Sequence, residues 1–368
     1  MNKFLLTTLV GATVSSQAFA ADLSDKSWDE IVAQAKEEGQ VSWFVWYFQP
    51  EFREIVKAFE DEYGIKVTIP DGSLDGNINK AMAERKRKKG DIDVLAMGAD
   101  KYIPVIQADL IEDISFIPNY ADGVHLLQGI DTQGKGLAYW GNQTGLAYDP
   151  NSIIEADLPQ SFAELDAWLK ANPKKFAFND PNGGGSGPSF VRAAVVNFNK
   201  DKTEQMTEEF NKNLANWSNT WAWFKENKDN IALTASNADS LTRLNDGEFT
   251  LVPAWEDHMA SLQKQGAIDS RFKLYIPEFG MSGGGNFSSV MKNAKNPAAA
   301  LVFLNWLVSA DVQSQFNATF GAAPQNKKAD DSQSLIPTAQ RAYITNVFPT
   351  PYEAELKKQI INNIFLGQ

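Results

Sequence analysis

Hydrophobic positions in the first hundred residues follow helical and strand spacings in turn. From Trp28 to Glu38 the apolar side chains recur at helical spacing, which predicts a helix that Ser27 caps and Gly39 ends. Residues 41–47 are rich in β-branched and aromatic side chains and predict a buried strand. Further helices are predicted at 51–63, 75–89 and 100–108, and further strands at 65–69 and 92–97. This alternation predicts an α/β fold with a parallel sheet covered on both faces.

The rest of the chain predicts a second α/β region between two crossings. Residues 136–150 contain two strand-like runs around a Gly/Asn/Thr-rich centre, as expected where a chain passes from one lobe to another. Residues 161–279 form the second region, and the glycine-marked stretch 282–291 predicts the return crossing. Helices are expected at 297–309 and near 338–346 and 352–365.

The N-terminal residues have the pattern of a signal peptide. Lys3 precedes an apolar run over residues 4–14, and Ala18, Phe19 and Ala20 end the segment with small residues at −3 and −1. The run is shorter than the ~20 residues that span a bilayer. We therefore expect cleavage after Ala20 and export, most simply to a bacterial periplasm.

The amino-acid composition argues against several classes of function. The chain has 368 residues with 46 acidic and 34 basic side chains, a formal net charge of −12, which disfavours nucleic acid and anionic membranes as partners. There is no Cys, and His125 and His258 are the two histidines, too few for a usual catalytic zinc site. We predict no cofactor, no metal and no catalytic residue, because no Gly-x-Ser-x-Gly motif occurs and the paired carboxylates Glu256 and Asp257 are adjacent in sequence. A secreted hydrolase is the remote alternative.

An ordered set of segments resembles the extracellular solute-binding proteins of ABC importers, in the two-lobed family 1 type. The segments are FEDEYGIKV (59–67) with DGS (71–73), DIDVL (91–95), YWGNQTGLAY (139–148), LPQSFAEL (158–165), KNPAAALVFLNW (295–306) and GAAP (321–324). The resemblance implies a two-lobed periplasmic-binding-protein fold of type II, each lobe a sheet flanked by helices and joined to the other by crossover strands. It also implies that the lobes close on a solute and deliver it to an inner-membrane ABC permease with its ATPase subunit.

Carried onto this chain, the resemblance divides it into lobes. Lobe 1 is expected at 21–144 plus 281–328 and lobe 2 at 145–280, with the C-terminal helices of 329–368 packed on lobe 2. We expect a monomer and not an enzyme. A chemosensory accessory protein would share this fold, so that role stays open.

Candidate binding residues follow from where ligands bind in open α/β sheets, beyond the carboxyl ends of the strands. At those positions and at the crossings stand Trp46, Tyr47, Asp71, Ser73, Trp140, Asn142, Thr144, Trp255, Glu256 and Asp257. The glycine-rich loop before a predicted helix adds Gly185, Ser186 and Gly187, because glycines let backbone N–H groups approach a ligand oxygen at a helix N-terminus. Arg192 is expected to form a surface ion pair. His258 is expected to make a structural contact.

The residue types leave the ligand class open. Flat Trp faces suit cationic nitrogens or sugars, and carboxylates that converge with Trp suit an ammonium group. We therefore favour an organic cation, polyamine-like or thiamine-like. A sugar or sugar phosphate held by the Gly-Ser loop is the alternative. Ferric-ion binders of this superfamily bring neighbouring tyrosines into the cleft, and residues 145–280 contain no Tyr-Tyr pair.

Overall fold

The computed structural model describes residues 23–127, 130–181, 185–199, 217–345 and 350–365. The predicted signal peptide and residues 182–184 of the glycine-rich loop lie outside these ranges. Across the described ranges, no helix combines the length and apolar character that a membrane span requires.

The first α/β region places three parallel strands side by side in the order β2-β1-β3. Its elements are α1 (Trp28–Glu38), β1 (Gln40–Phe44), α2 (Gln49–Ile55), α3 (Lys57–Tyr63), β2 (Lys66–Thr68), α4 (Leu74–Glu84), β3 (Val94–Gly98), α5 (Ala99–Gln107), β4 (Leu126–Leu127) and β5 (Ile130–Asp131). The first helix begins and ends as predicted: Ser27 and Glu30 form a capping box, and Gly39 ends it at φ +68°.

The second α/β region contains another set of three parallel strands, in the order β9-β7-β8. It follows β6 (Leu137–Tyr148) and contains a 3₁₀ turn (Glu155–Asp157), α6 (Phe162–Ala171), β7 (Phe176–Asn179), α7 (Gly187–Phe198), α8 (Ser218–Glu226), β8 (Ile231–Thr234), α9 (Asn237–Asn245), β9 (Leu251–Trp255), α10 (Glu256–Lys264) and β10 (Lys273–Tyr275).

Two long antiparallel strands join the two regions into one continuous sheet. These are β6 and β11 (Met281–Val290), which pair with each other along most of their length. The strand β11 also pairs with β3 of the first region, and β6 also pairs with β9 of the second. The predicted crossover strands are therefore confirmed.

The chain ends in helices that return to both regions. They are α11 (Pro297–Leu307), α12 (Ala310–Phe320), a 3₁₀ helix (Thr338–Tyr343) with β12 (Ile344–Thr345), and α13 (Thr350–Ile360), which continues as one π-helical turn (Ile361–Phe365). Buried residues of α11 pack with α1 and β1, whereas Tyr352 and Leu356 of α13 pack with the second region.

The hydrophobic core is divided in the same way. Two clusters of buried side chains fill the first region, and one of them includes residues of α11 and α12. A third cluster fills the second region and extends from Leu146 to Ile364. Each region thus has a core of its own, as expected for two lobes.

The structure differs from the predicted elements at several places. Strand β1 ends at Phe44 and helix α4 at Glu84, before the predicted ends at 47 and 89, and residues 344–345 form a strand where a helix was expected. The predicted helix at 51–63 is two helices that meet at Val56. Residues 137–148 form one continuous strand, where two strand-like runs were expected around the Gly/Asn/Thr-rich centre of 136–150. A Cβ at Gly141 would lie 2.6 Å from the carbonyl oxygen of Ala323, and one at Gly145 would lie 2.5 Å from that of Tyr275. These glycines therefore accommodate neighbouring backbone within an extended strand.

Candidate functional site

A cavity of about 1000 Å³ lies between the two regions, and we call it the interlobe cavity. Its wall includes Trp46, Tyr47, Phe48, Lys101 and Trp140 from the first region, and Arg192, Trp255, Asp257, His258, Glu353 and Lys357 from the second. Asn142, Gly284, Gly285 and Asn286 of the crossover strands also contribute to it. Several of these residues follow the carboxyl ends of β1, β3 and β9, where an open α/β sheet binds its ligands.

Aromatic rings form one wall of the interlobe cavity. The ring centroids of Trp46 and Tyr47 are 4.8 Å apart, and those of Tyr47 and Trp140 are 5.4 Å apart. The Tyr47 hydroxyl lies 2.8 Å from the Tyr139 hydroxyl and accepts a hydrogen bond from Asn286 at 2.8 Å. Burial raises the pKa of both phenols above the ordinary tyrosine value, so both stay protonated at neutral pH.

Asp257 is a buried carboxylate surrounded by neutral donors. Its Oδ2 accepts hydrogen bonds from Trp140 Nε1 at 3.2 Å and Asn142 Nδ2 at 3.1 Å, and its Oδ1 accepts one from the His258 backbone N–H at 2.9 Å. Burial raises the pKa of Asp257, although these hydrogen bonds act in the opposite direction. Among the described residues, no lysine or arginine forms an ion pair with it.

The local fold explains why Asp257 reaches the cavity. Strand β9 ends at Trp255, which pairs with Thr144 of β6, and α10 begins at the next residue. Asp257 is therefore in the first turn of a helix, where backbone N–H groups and the helix dipole favour a carboxylate. Asn142 lies two residues before Thr144 on the neighbouring crossover strand and so comes within reach of it.

His258, the next residue, lines the same wall. Its Nδ1 lies 2.8 Å from Nδ2 of Asn237, whose Oδ1 accepts a hydrogen bond from the Trp255 backbone N–H at 3.2 Å. Burial lowers the pKa of His258, and the nearby Asp257 carboxylate partly opposes that shift. The structural contact expected for this histidine is present, but the side chain also lies at the cavity.

Basic side chains line the cavity together with acidic partners. Lys101 pairs with Asp75 at 3.1 Å, and Arg192 pairs with Glu353 of α13 at 2.9 Å. Arg192 also donates to the Ser282 hydroxyl at 2.6 Å. The ion pair predicted for Arg192 thus exists, but it is partly buried at the wall of the cavity instead of lying on an open surface.

Four predicted candidates lie elsewhere. Asp71 forms an ion pair with Arg53, and its side chain is 85% exposed. The Ser73 hydroxyl caps α4 by accepting the Gly76 N–H at 3.2 Å. Thr144 is buried and donates to the Ser282 carbonyl at 2.6 Å. Glu256 is fully buried, and its Oε1 accepts hydrogen bonds from Arg341 at 2.8 Å and from the Ile336 N–H at 3.1 Å.

The described part of the glycine-rich loop also contacts protein instead of the cavity. Ser186 donates to the Pro253 carbonyl at 2.7 Å and to Asn179 Oδ1 at 3.1 Å. The Gly187 N–H donates to the same Asn179 oxygen at 2.7 Å. Gly185 adopts φ +74°, a conformation that favours glycine. The partners of these polar groups lie at the end of β7 and in β9, so Gly185, Ser186 and Gly187 stabilise a tight turn.

Some cavity residues gave little or no signal in the sequence. Phe48 and Lys101 follow strand ends. The rule that ligands bind beyond the carboxyl ends of strands therefore applies to them as it does to Trp46. Glu353 and Lys357 belong to a C-terminal helix whose position depends on packing with distant residues. Asn286 lies within β11, where a strand pattern does not show which face borders a cavity.

Comparison with known proteins identifies the family. A family model of bacterial extracellular solute-binding proteins matches residues 54–342. Solved structures with the same fold include an extracellular solute-binding protein from Bordetella parapertussis, with TM-score 0.72 at 19% identity over 89% of this chain and 99% of that one. Iron-bound HitA from Pseudomonas aeruginosa has TM-score 0.63 at 19% identity over 87% and 99%.

A third similar structure is the spermidine/putrescine transporter substrate-binding protein PotD from Streptococcus pneumoniae, with TM-score 0.62 at 13% identity over 89% of this chain and 99% of that one. A search of curated proteins gave no match. The fold is the two-lobed one of periplasmic binding proteins, and the family consists of solute-binding transport proteins, not enzymes. The chain belongs to the bacterial extracellular solute-binding proteins, the substrate-binding components of ABC transporters.

Proposed function

We propose that this protein captures a small organic solute with a cationic nitrogen and delivers it to an inner-membrane ABC permease with its ATPase subunit. The proposal includes the expected cleavage after Ala20, a periplasmic location and a monomeric state. The observation that carries the choice of ligand is Asp257, a buried carboxylate at the interlobe cavity with neutral donors around it.

A buried carboxylate without a cationic partner is costly, because charge is stable in a protein interior only when it is paired and hydrogen-bonded. Trp140, Asn142 and the His258 backbone supply hydrogen bonds to Asp257 but no positive charge. An ammonium group bound in the cavity would supply that charge. Binding would then be strongest with the ionised form of Asp257.

The aromatic wall supports the same class of ligand. Trp46, Tyr47, Phe48 and Trp255 line the cavity that Asp257 also lines. A cation over an aromatic face gains about 0.5–2 kcal/mol, and more when it is removed from water. The ring faces and the carboxylate would therefore act together on one cationic nitrogen.

Lobe closure is the proposed mechanism of capture. We place lobe 1 at 21–144 plus 281–328 and lobe 2 at 145–280, with 329–368 on lobe 2, and the separate core clusters support a division into two lobes. A solute in the interlobe cavity would contact side chains from both lobes. Because those contacts form together only when the lobes close, the solute shifts the population toward the closed state.

Ferric ion is a poorer fit, although one similar structure is iron-bound. Burial raises the pKa of Tyr47 and Tyr139, which opposes the phenolate form that a ferric ion would require. Within the described residues, no group of three or more acidic or histidine side chains is placed to hold a metal ion. PotD, by its name, serves the transport of polyamines.

A sugar phosphate is the second candidate, and one observation favours it. Lys101, Arg192 and Lys357 line the same cavity and could meet a phosphate group. Two of these three cations already have acidic partners, Asp75 and Glu353. Their charge is thus partly neutralised, and the cationic ligand remains our first choice.

Native mass spectrometry of freshly purified protein tests the proposal first, because a co-purified solute would be weighed directly. Calorimetry with spermidine, thiamine, glucose 6-phosphate and maltotriose then compares the classes. We expect a cation to bind, and Asp257→Asn to weaken that binding at least tenfold. Asp71→Asn is the matched control, since Asp71 lies outside the cavity and pairs with Arg53.

The possible outcomes separate the classes. Tight binding of glucose 6-phosphate or maltotriose with no response to the cations would replace our ligand class. Turnover of an added compound would contradict the binding function itself.

A further inference from the structure

A buried asparagine determines which nitrogen of His258 carries the proton. Asn237 is 5% exposed, and its Oδ1 accepts the Trp255 backbone N–H at 3.2 Å. The amide nitrogen of Asn237 must therefore face His258, where it lies 2.8 Å from Nδ1. An amide NH₂ group only donates, so Nδ1 accepts, and the hydrogen-bond network assigns the proton of the neutral ring to Nε2.

The Nε2–H group is available to a solute. Burial lowers the pKa of His258, which favours the neutral ring. The side chain lines the interlobe cavity, and no described residue forms a hydrogen bond with its Nε2. The ring thus offers one donor, on Nε2, from a side chain that lines the cavity.

This donor stands beside an acceptor. The His258 backbone N–H donates to Asp257 Oδ1 at 2.9 Å and positions that carboxylate in the first turn of α10, while Asn237 positions the His258 ring at Nδ1. A cationic nitrogen would satisfy Asp257 but leave Nε2–H without a partner. A solute that carries both a cationic nitrogen and a carboxylate or carbonyl oxygen would satisfy both groups.

We propose that His258, held by Asn237, determines specificity by donating from Nε2–H to an oxygen of the solute, which makes the preferred solutes organic cations that also carry such an oxygen. This inference rests on the proposed function, because it assumes that Asp257 binds the cationic nitrogen. It narrows that function, since a simple polyamine lacks the required oxygen.

Nuclear magnetic resonance tests the tautomer without any ligand. The chain has two histidines, so a His125→Gln variant leaves His258 as the single source of imidazole signals in long-range ¹H–¹⁵N spectra. At a pH where the ring is neutral, we expect the pattern of an Nε2–H tautomer. An Nδ1–H pattern, or the averaged pattern of a mixture, would overturn the inference.

Calorimetry with matched probes tests the specificity. One pair is 4-aminobutyrate and butylamine, and the other is glycine betaine and tetramethylammonium. In each pair the first compound carries a carboxylate and the second does not. We expect the wild-type protein to prefer the carboxylate member of the better-bound pair by at least about tenfold, the value of a typical hydrogen bond to a charged group. His258→Phe keeps a ring without a donor and should lower this preference by about tenfold.

His258→Gln should keep part of the preference, because its amide NH₂ can donate from a similar position. If the preference is unchanged in His258→Phe, the basic side chains of the cavity select the oxygen. That result would overturn this inference but not the proposed function. Equal binding of both members by the wild-type protein would do the same. Failure of these probes, spermidine and thiamine to bind at all would overturn the proposed function and, with it, this inference.

Discussion

The carboxylates of Glu256 and Asp257, adjacent in sequence, bind different partners: Glu256 Oε1 accepts from Arg341 at 2.8 Å, and Asp257 Oδ2 accepts from Trp140 Nε1 at 3.2 Å. Asp257 lines the interlobe cavity, whereas Glu256 is fully buried away from it. Two residues with the same chemistry thus have separable roles, one at the cavity and one in the attachment of the C-terminal segment.

The two carboxylates should respond differently to neutralisation. Asp257→Asn should weaken binding of a cationic probe such as thiamine or spermidine by about 10- to 100-fold, because a charged hydrogen-bond acceptor contributes about 1.5–3 kcal/mol. Glu256→Gln should leave that affinity within about threefold and lower the free energy of unfolding by about 1–3 kcal/mol, because Arg341 loses its buried partner. Calorimetry and urea unfolding measure the two effects. A loss of affinity in Glu256→Gln as large as in Asp257→Asn would contradict this separation.

Stability without ligand should depend on pH through Asp257. Its raised pKa means that the folded state keeps a proton that the unfolded chain releases above about pH 3.9. The free energy of unfolding should therefore fall as pH rises from that value to the folded-state pKa. Asp257→Asn removes this contribution, so its stability relative to the wild type should increase across the window.

Urea unfolding of both proteins at several pH values measures that difference. Glu256 also has a raised pKa, so its contribution to stability changes with pH in the same direction. Because Glu256 is present in both proteins, this contribution cancels in the difference between them. A difference between the two proteins that does not change with pH would show that Asp257 keeps an ordinary pKa.

The Trp255 ring should contribute to affinity through its face. Trp255→Ala should weaken a bound cation by about 3- to 30-fold, which corresponds to about 0.5–2 kcal/mol of cation–π attraction. Trp255→Phe should lose less, because the smaller ring keeps part of that attraction. Trp221→Phe, a ring outside the interlobe cavity, is the control for loss of an indole. Equal affinity in all four proteins would show that the Trp255 ring does not contribute to binding.

Gly187 should matter for stability and not for affinity. A Cβ at this position would lie 2.0 Å from the Asn179 carbonyl oxygen, so Gly187→Ala forces the start of α7 away from β7. We expect a loss of about 2 kcal/mol or more in the free energy of unfolding. In Gly76→Ala the added Cβ would approach only the Ser73 hydroxyl, at 3.0 Å, and the change should stay within about 1 kcal/mol. Measured affinity for the cationic probe should change little in Gly187→Ala, whereas a loss of affinity with normal stability would return this loop to the binding site.

Local patterns predicted much of the fold because the groups involved are close in sequence. The helix over residues 28–38 needs only its apolar spacing, the Ser27 cap and a glycine that can adopt φ +68°. Glycines in the crossover strand were harder to interpret, since Gly141 and Gly145 make room for backbone from distant segments. The sequence shows these glycines but does not show which distant segments approach them.

The candidate site could be predicted only in part. The rule for carboxyl strand ends nominated Trp46, Trp255 and Asp257, which do line the cavity. It also nominated Asp71 and Ser73, because loop position alone does not show whether a side chain points to the cavity, to solvent or to a helix cap. The Gly-Ser loop was misleading for a related reason, since glycine near a helix start serves close backbone packing as well as ligand binding.

Local sequence patterns predicted most of the helices and strands, several of their caps and the two crossings, because spacing and capping are local properties of the chain. The packing of distant segments places Asp257 and not Glu256 at the cavity, and it brings Arg192 to Glu353, 161 positions along the chain. These contacts depend on how separate lobes and the C-terminal helix pack together. The free energy of that packing is shared among many distant side chains, so no short stretch of sequence contains it.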